Sequence, residues 1–116
     1  MKNDIYAHLH DILHAGRAIK EFVARRTFED YVSHDLLRSA VERKFEIIGE
    51  ALNRVRRDDP SLLLRIRNYR NIVSFRNILI HGYDAIDDRI VWGVIEEDLD
   101  NLIQDVDELL PQGETT

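Results

Sequence analysis

The chain has 116 residues, of which 44% are hydrophobic and 33% charged, and its formal net charge is −6. This composition is typical of one soluble globular domain and excludes a disordered chain, and the absence of cysteine excludes disulfides and thiolate metal sites. No apolar run approaches the roughly 20 residues that span a bilayer, and no signal-peptide pattern follows Met1. We therefore expect a cytoplasmic protein without membrane contact.

Hydrophobic periodicity in the first half of the chain predicts two long helices with a short one between them. The first long helix covers about residues 4–25, and a capping-box pattern at Thr27-Phe28-Glu29-Asp30 then begins a short turn of helix. Ser33 is the predicted cap of the second long helix. The positions that mark the two long helices are Ile5, Leu9, Ile12, Gly16, Ile19 and Val23, then Leu37, Val41, Phe45, Ile48, Leu52 and Val55.

Helix-capping and helix-breaking residues mark the ends of the next two predicted elements. Asp59 is predicted to cap a new helix with Pro60 at its first position, where a missing N–H has no cost. A further helix is predicted over about residues 68–81, with Gly82 as its C-terminal breaker.

A closing helix is predicted to begin at Asp87 or Asp88 and to end before Pro111. Its apolar stripe consists of Val91, Ile95, Leu99, Leu102, Val106 and Leu109. The chain as a whole predicts an all-α, up-and-down bundle of about four to five helices. We expect one domain over residues 1–110 and a flexible tail over residues 111–116.

Positive charge is concentrated in the middle of this acidic chain. Residues 53–83 include two acids and seven arginines, whereas residues 84–116 include eleven acids and only Arg89. The arginines of this basic block are Arg54, Arg56, Arg57, Arg65, Arg67, Arg70 and Arg76. The block predicts a local positive patch that could meet phosphate groups, with the acidic segment facing solvent or a basic partner. Ordinary solvated helix faces explain the pattern equally well from the sequence alone.

The predicted helix over residues 68–81 has two apolar faces. At about 100° per residue, one broad face suits the core. That face carries Ile72, Phe75, Ile78 and Leu79. Val73 and Ile80 lie on the other side, next to Arg76. Because a small bundle buries only one face of each helix, the second apolar face predicts contact with a partner subunit.

Arg76, Asn77 and His81 combine groups that can act on a phosphodiester without a metal ion. A guanidinium is always charged and matches phosphate oxygens, and an imidazole near neutral pH can move a proton to or from a hydroxyl. Together with Tyr83 these residues form the pattern Arg-x4-His-x-Tyr, which resembles the Arg-x4-6-His-x-Tyr motif of HEPN-domain toxins of the HepT type. The stretch over residues 46–51 is also similar to a recurrent HepT segment.

The resemblance implies a HEPN-like homodimer that acts as a metal-independent endoribonuclease without a cofactor, with a composite active site at the dimer interface. In this hypothesis His81 acts as general base or acid on a ribose 2′-hydroxyl, while Arg76 neutralises charge on the phosphorus oxygens. Asn77 orients the imidazole or a phosphate oxygen. The resemblance further implies a toxin of a toxin–antitoxin system, neutralised by an MntA-like nucleotidyltransferase antitoxin that transfers AMP to Tyr83.

Other side-chain pairs have simpler interpretations. His10 and His14 are spaced to share a metal ion, but no third ligand completes the set, so we predict no metal site. Glu46 and Glu50 are interpreted as solvated carboxylates. Gly49 is predicted to let a neighbouring helix approach closely.

Two other classes of function are compatible with the sequence. The first is a non-catalytic nucleotide- or protein-binding helical module that partners a nucleotidyltransferase. The second is a purely structural helical dimer, in which the basic block only decorates the surface. Toxicity on expression separates both from a toxin, because cells should tolerate a non-toxic wild-type chain as well as they tolerate His81→Ala.

Overall fold

The structure is a computed structural model that describes the backbone of residues 2–81 and 87–111, and the side chains of residues 4–77 and 87–111. These described residues form seven helices and no strand, which confirms the predicted all-α bundle. The helices are α1 (Lys2–Val23), α2 (Phe28–Val32), α3 (Asp35–Asp58), α4 (Pro60–Leu63), α5 (Tyr69–His81), α6 (Asp88–Glu97) and α7 (Leu99–Leu109).

The core lies where α3 packs against both α1 and α5, and where α1 also packs against α7. Leu9 of α1 and Ile48 of α3 have no exposed surface. The ring of Phe45 on α3 meets the ring of Phe75 on α5 edge to face, with centroids 5.0 Å apart. None of the described helices combines the length and apolar character that crossing a bilayer requires.

The start of α2 follows the prediction, but the start of α3 does not. The backbone N–H of Asp30 donates to the Thr27 hydroxyl, and the Thr27 N–H donates back to the Asp30 carboxylate, which is the predicted capping box. Ser33, the predicted cap of α3, instead donates its hydroxyl to the carbonyl of Glu29 and so belongs to the end of α2. The cap of α3 is His34, whose Nδ1 accepts from the Leu37 N–H.

The prediction around Asp59 and Pro60 is confirmed, since the Asp59 carboxylate accepts from the Ser61 N–H at 3.2 Å and Pro60 begins α4.

The prediction of a single closing helix between Asp87 and Pro111 is wrong. Two helices, α6 and α7, occupy this segment and meet at Asp98. The Asp98 N–H donates to the carbonyl of Val94 in α6, and the Asp98 carbonyl accepts from the N–H of Leu102 in α7. The interruption is therefore confined to one residue.

Candidate functional site

The helix α5 carries three of the predicted site residues, Arg76, Asn77 and His81. It begins at Tyr69, one residue after the predicted start. Asn68 precedes it in a left-handed conformation, with φ of 60°, and its carbonyl accepts from the N–H groups of Asn71 and Ile72 in the first turn of the helix. An asparagine tolerates this conformation better than most residues do, because its short polar side chain can form local hydrogen bonds. Asn68 is therefore what turns the chain into α5.

The turn before α5 is fixed to α7 by Arg67 and Asp105. The Asp105 carboxylate accepts from the Arg67 backbone N–H at 2.9 Å and from the Arg67 guanidinium at 2.8 Å. Asp105 is only 7% exposed, and the hydrogen bonds from the Arg67 side chain lower the pKa of its carboxyl group. Arg67, a member of the predicted basic block, thus has a structural role.

Arg76 projects from α5 onto the surface of α3. Its side chain is 21% exposed, and its Nη2 lies 3.8 Å from Oε1 of Glu50. That distance is an ion-pair contact but is too long for a hydrogen bond, so the outer guanidinium N–H groups keep capacity for another acceptor. The Nε atom of Arg76 is buried and has no hydrogen-bond partner within the described part of the chain.

The Arg76 side chain lies in a notch on α3 that is created by Gly49. A Cβ added to Gly49 would lie 2.3 Å from both Cβ and Cγ of Arg76 and 3.0 Å from its Cδ. Real Cβ atoms essentially never approach this closely. The predicted role of Gly49, a close approach between helices, is confirmed, and the group that approaches is the arginine of the motif.

The other motif residues follow Arg76 in the chain. Asn77 is exposed beside Arg76 on α5. The backbone of His81 ends α5, whereas the His81 side chain and the whole of Tyr83 lie outside the described residues. Because α5 is continuous from Arg76 to His81, these two positions are separated by about 140° around the helix axis and about 7.5 Å along it.

The two predicted faces of α5 agree with the structure only in part. Ile72 and Phe75 are buried in the core as predicted, at 1% and 3% exposure. Val73, assigned to the second face, is partly buried and packs against the core of its own subunit. Its burial therefore gives no separate support for a partner, and the dimer stays a prediction. The side chain of Ile80 lies outside the described residues.

Some charged residues of the basic and acidic segments form ion pairs between helices, and others are exposed. Arg67 and Arg76 pair with acids of other helices. Arg67 is also exposed, as are the other five arginines of the basic block, of which Arg57 lies 3.9 Å from its neighbour Asp58: Arg54, Arg56, Arg57, Arg65 and Arg70. Two acids of α7 pair with cations of α1, since Lys20 contacts Asp100 at 2.9 Å and Arg17 contacts Asp107 at 3.7 Å. The acidic segment thus partly faces α1 and does not face solvent alone.

The two histidines of the predicted pair lie one turn apart on α1. The rings of His10 and His14 have centroids 6.4 Å apart. Among the residues with described side chains, no three of the types His, Asp and Glu come together closely enough to hold a metal ion.

Glu50 is the residue of this site that the sequence did not reveal. The sequence predicts a solvated carboxylate here, because Glu46 and Glu50 lie four residues apart on one helix. Its side chain is indeed 42% exposed, but it contacts Arg76 of another helix. A signal in the sequence is its position next to Gly49, against which the Arg76 side chain packs.

The described residues thus place a partly buried arginine beside an exposed asparagine on α5, five residues before the histidine at which the helix ends. Comparison with known proteins gives the family. The model of the family described as "Ribonuclease HepT-like" matches residues 12–109. The chain therefore belongs to the HepT-like ribonuclease family, and the predicted resemblance is confirmed.

Several relatives match almost the whole chain. A candidate RNase of Methanocaldococcus jannaschii is 32% identical over 106 residues, covering 91% of this chain and 96% of that protein. A candidate ribonuclease HepT of Thermococcus cleftensis is 35% identical over 102 residues, covering 88% and 92%. A candidate RNase of Caldanaerobacter subterraneus subsp. tengcongensis is 31% identical over 103 residues, covering 89% and 91%. No solved structure matches the chain with significance.

Proposed function

We propose that this protein is the toxin of a toxin–antitoxin system and cleaves RNA without a metal ion, at a composite site between two identical subunits. Membership of the HepT-like ribonuclease family supports the RNase activity. The names of the relatives from M. jannaschii and T. cleftensis point to the same activity.

The observation that carries the proposal is the environment of Arg76. A cationic side chain is pressed against a helix backbone at Gly49, with its Nε buried and unmatched among the described residues. Leaving a buried donor without an acceptor costs about 1–3 kcal/mol, so a purely structural residue at this position would be better replaced by an apolar one. An arrangement that lowers stability is typical of residues kept for function.

The reaction follows from the chemistry of the two motif side chains. The His81 imidazole accepts the proton of a ribose 2′-hydroxyl, and the 2′-oxygen then bonds to the adjacent phosphorus. The bond from phosphorus to the 5′-oxygen breaks, and the 5′-oxygen takes a proton from a His81 imidazolium. Arg76 stabilises the charge that develops on the non-bridging oxygens, and Asn77 orients the imidazole or one of these oxygens.

The dimer provides the geometry that one helix lacks. On a single α5, Arg76 and His81 are about 140° apart and do not face each other. A two-fold axis beside α5 would bring both copies of each residue to one groove. The exposed arginines of the basic block would then attract the RNA backbone.

Tyr83 is the proposed acceptor of AMP. The phenol oxygen would attack the α-phosphorus of ATP in an MntA-like nucleotidyltransferase, with pyrophosphate as the leaving group. A phosphodiester-linked AMP next to Arg76 and His81 would occupy the RNA site and repel phosphate. Mass spectrometry after coexpression with the cognate nucleotidyltransferase should show adenylyl mass on Tyr83; modification confined to other residues would contradict this part of the proposal.

The activity itself is tested with purified protein and single-stranded RNA in EDTA. The wild-type chain should cleave, whereas Arg76→Ala and His81→Ala should each reduce the rate by about two orders of magnitude or more. Arg43→Ala and His14→Ala are the matched controls, because Arg43 lies exposed on α3 outside the basic block and His14 lies exposed on α1. Full activity in either motif variant would overturn the assignment. RNA or nucleotide binding without turnover would favour the non-catalytic module.

A further inference from the structure

The geometry points to Glu50 as a positioning residue that holds the Arg76 guanidinium in the orientation used on RNA. This inference rests on the proposed function and adds a residue to it. Its evidence is the contact between α3 and α5, where Gly49 and Glu50 are adjacent in the chain and both meet Arg76.

The Arg76 side chain is restricted at both ends by α3. At its base, Cβ and Cγ lie against the Gly49 backbone, where an added Cβ would be 2.3 Å away. At its tip, Nη2 lies 3.8 Å from Oε1 of Glu50. Nε, between these ends, is buried. A long side chain held at its base and its tip loses most of its rotamer freedom, so the guanidinium has a defined direction before RNA binds.

Glu50 is the acid that the fold places correctly for this contact. Glu46 lies one turn earlier on α3, and no ion pair involves it among the residues with described side chains. One turn later on the same face is Asn53, whose Oδ1 is buried without a partner in that part of the chain. Of these three α3 residues, Glu50 alone supplies a negative charge to Arg76.

The contact orients Arg76 and leaves its guanidinium N–H groups available to phosphate. At 3.8 Å the carboxylate attracts the guanidinium but does not form a hydrogen bond with it. A guanidinium has five N–H donors, so phosphate oxygens can bind to the free edge while Glu50 remains beside Nη2. The pair is partly exposed, with 42% exposure at Glu50, and pairs of this kind contribute little to stability. The effect of Glu50 should therefore appear in the rate of RNA cleavage.

The test is Glu50→Gln, which keeps the shape of the side chain and removes its charge, with Glu46→Gln as the matched control on α3. Glu50→Gln should lower kcat for RNA cleavage about ten- to a hundredfold with little change in KM or in Tm, and Glu50→Asp should restore part of the rate. In an Arg76→Ala background, the same substitution should have no further effect. Equal loss in both backgrounds, or equal loss in Glu46→Gln, would overturn the inference.

A second measurement separates this inference from the proposed function. In side-chain NMR of arginine Nε–H groups, the Arg76 resonance should exchange slowly with solvent in the wild type and at least several-fold faster in Glu50→Gln. If the wild type fails to cleave RNA, the ribonuclease proposal fails, and this exchange rate alone decides whether Glu50 holds Arg76. An unchanged Arg76 exchange rate in Glu50→Gln would overturn the positioning role even in an active enzyme.

Discussion

The carboxylate of Asp105 accepts hydrogen bonds from both the backbone N–H and the guanidinium of Arg67, at 2.9 and 2.8 Å. Because Arg67 lies in the turn that leads into α5, this pair fixes the start of the helix that carries Arg76. Asp105 is 7% exposed, and Arg67 donates each of the hydrogen bonds that its carboxylate accepts within the described part of the chain. Substitution of Arg67 or Asp105 should therefore weaken the attachment of α5 to α7.

Asp105→Asn should lower the free energy of unfolding by about 1.5–3 kcal/mol, because charge-assisted hydrogen bonds in a buried setting are lost. Urea unfolding followed by circular dichroism measures the change. The control is Asp107→Asn on the same helix, which breaks an exposed contact to Arg17 of 3.7 Å and should cost less than about 1 kcal/mol. A larger effect at Asp107 than at Asp105 would contradict this ranking.

The same pair predicts a pH dependence. Arg67 holds the pKa of Asp105 below its ordinary value in the folded state. A lowered folded pKa contributes stability that is fully present above the unfolded pKa of about 3.9 and is lost as pH falls through the folded pKa. The stability difference between wild type and Asp105→Asn should therefore be constant from pH 5 to 7, about one unit and more above that unfolded value, and should shrink below pH 4. A difference that grows on acidification would have the wrong sign.

Gly49→Ala should destabilise the fold by about 1–3 kcal/mol, because the new methyl group overlaps the base of the Arg76 side chain and forces α3 and α5 apart. It should also reduce RNA cleavage, since Arg76 moves. Gly93→Ala is the matched control, because a Cβ there meets nothing within 4 Å and Gly93 lies inside α6. That substitution should stabilise the protein by about 0.5–1 kcal/mol. Thermal unfolding of both variants should thus show shifts of opposite direction.

Asn68 should tolerate glycine far better than a β-branched residue. Its φ of 60° is a left-handed conformation that costs L-residues with bulky side chains about 1–2 kcal/mol. Asn68→Val should therefore lower the free energy of unfolding by at least that amount, and Asn68→Gly by less, through loss of the 3.3 Å contact to Asp98 alone. If the two variants unfold at the same urea concentration, backbone strain at Asn68 is not important.

Local signals in the sequence predicted most of the fold. The capping box at Thr27 and the Asp59-Pro60 helix start are formed by neighbouring residues, so their patterns were sufficient. The break at Asp98 was not predictable from periodicity, because Ile95 and Leu99 on either side of it are both buried and continue one apolar stripe. His34 was missed because Ser33 has the stronger capping preference, although its hydroxyl is used by the preceding turn.

Prediction of the site was limited to residues within one helix. The spacing of Arg76, Asn77 and His81 could be obtained from the chain, since α5 is continuous across them. The contact between Arg76 and Glu50 depends on how two helices pack, and the contact between Arg67 and Asp105 joins positions 38 residues apart. Such pairings are set by tertiary structure, so composition and spacing could neither identify Glu50 nor remove Arg67 from the basic patch.

In the proposed ribonuclease, two subunits contribute Arg76 and His81 to one groove that cleaves RNA. Arg76→Ala and His81→Ala chains that carry different affinity tags are mixed, and the heterodimer is purified through both tags. Its RNA cleavage is then measured in EDTA. Each variant alone should be almost inactive, whereas the heterodimer retains one arginine and one histidine in the shared groove and should regain activity well above the sum of the two. A purified heterodimer that cleaves no faster than its parents, or a wild-type chain that never forms dimers, would rule out a site shared by two subunits.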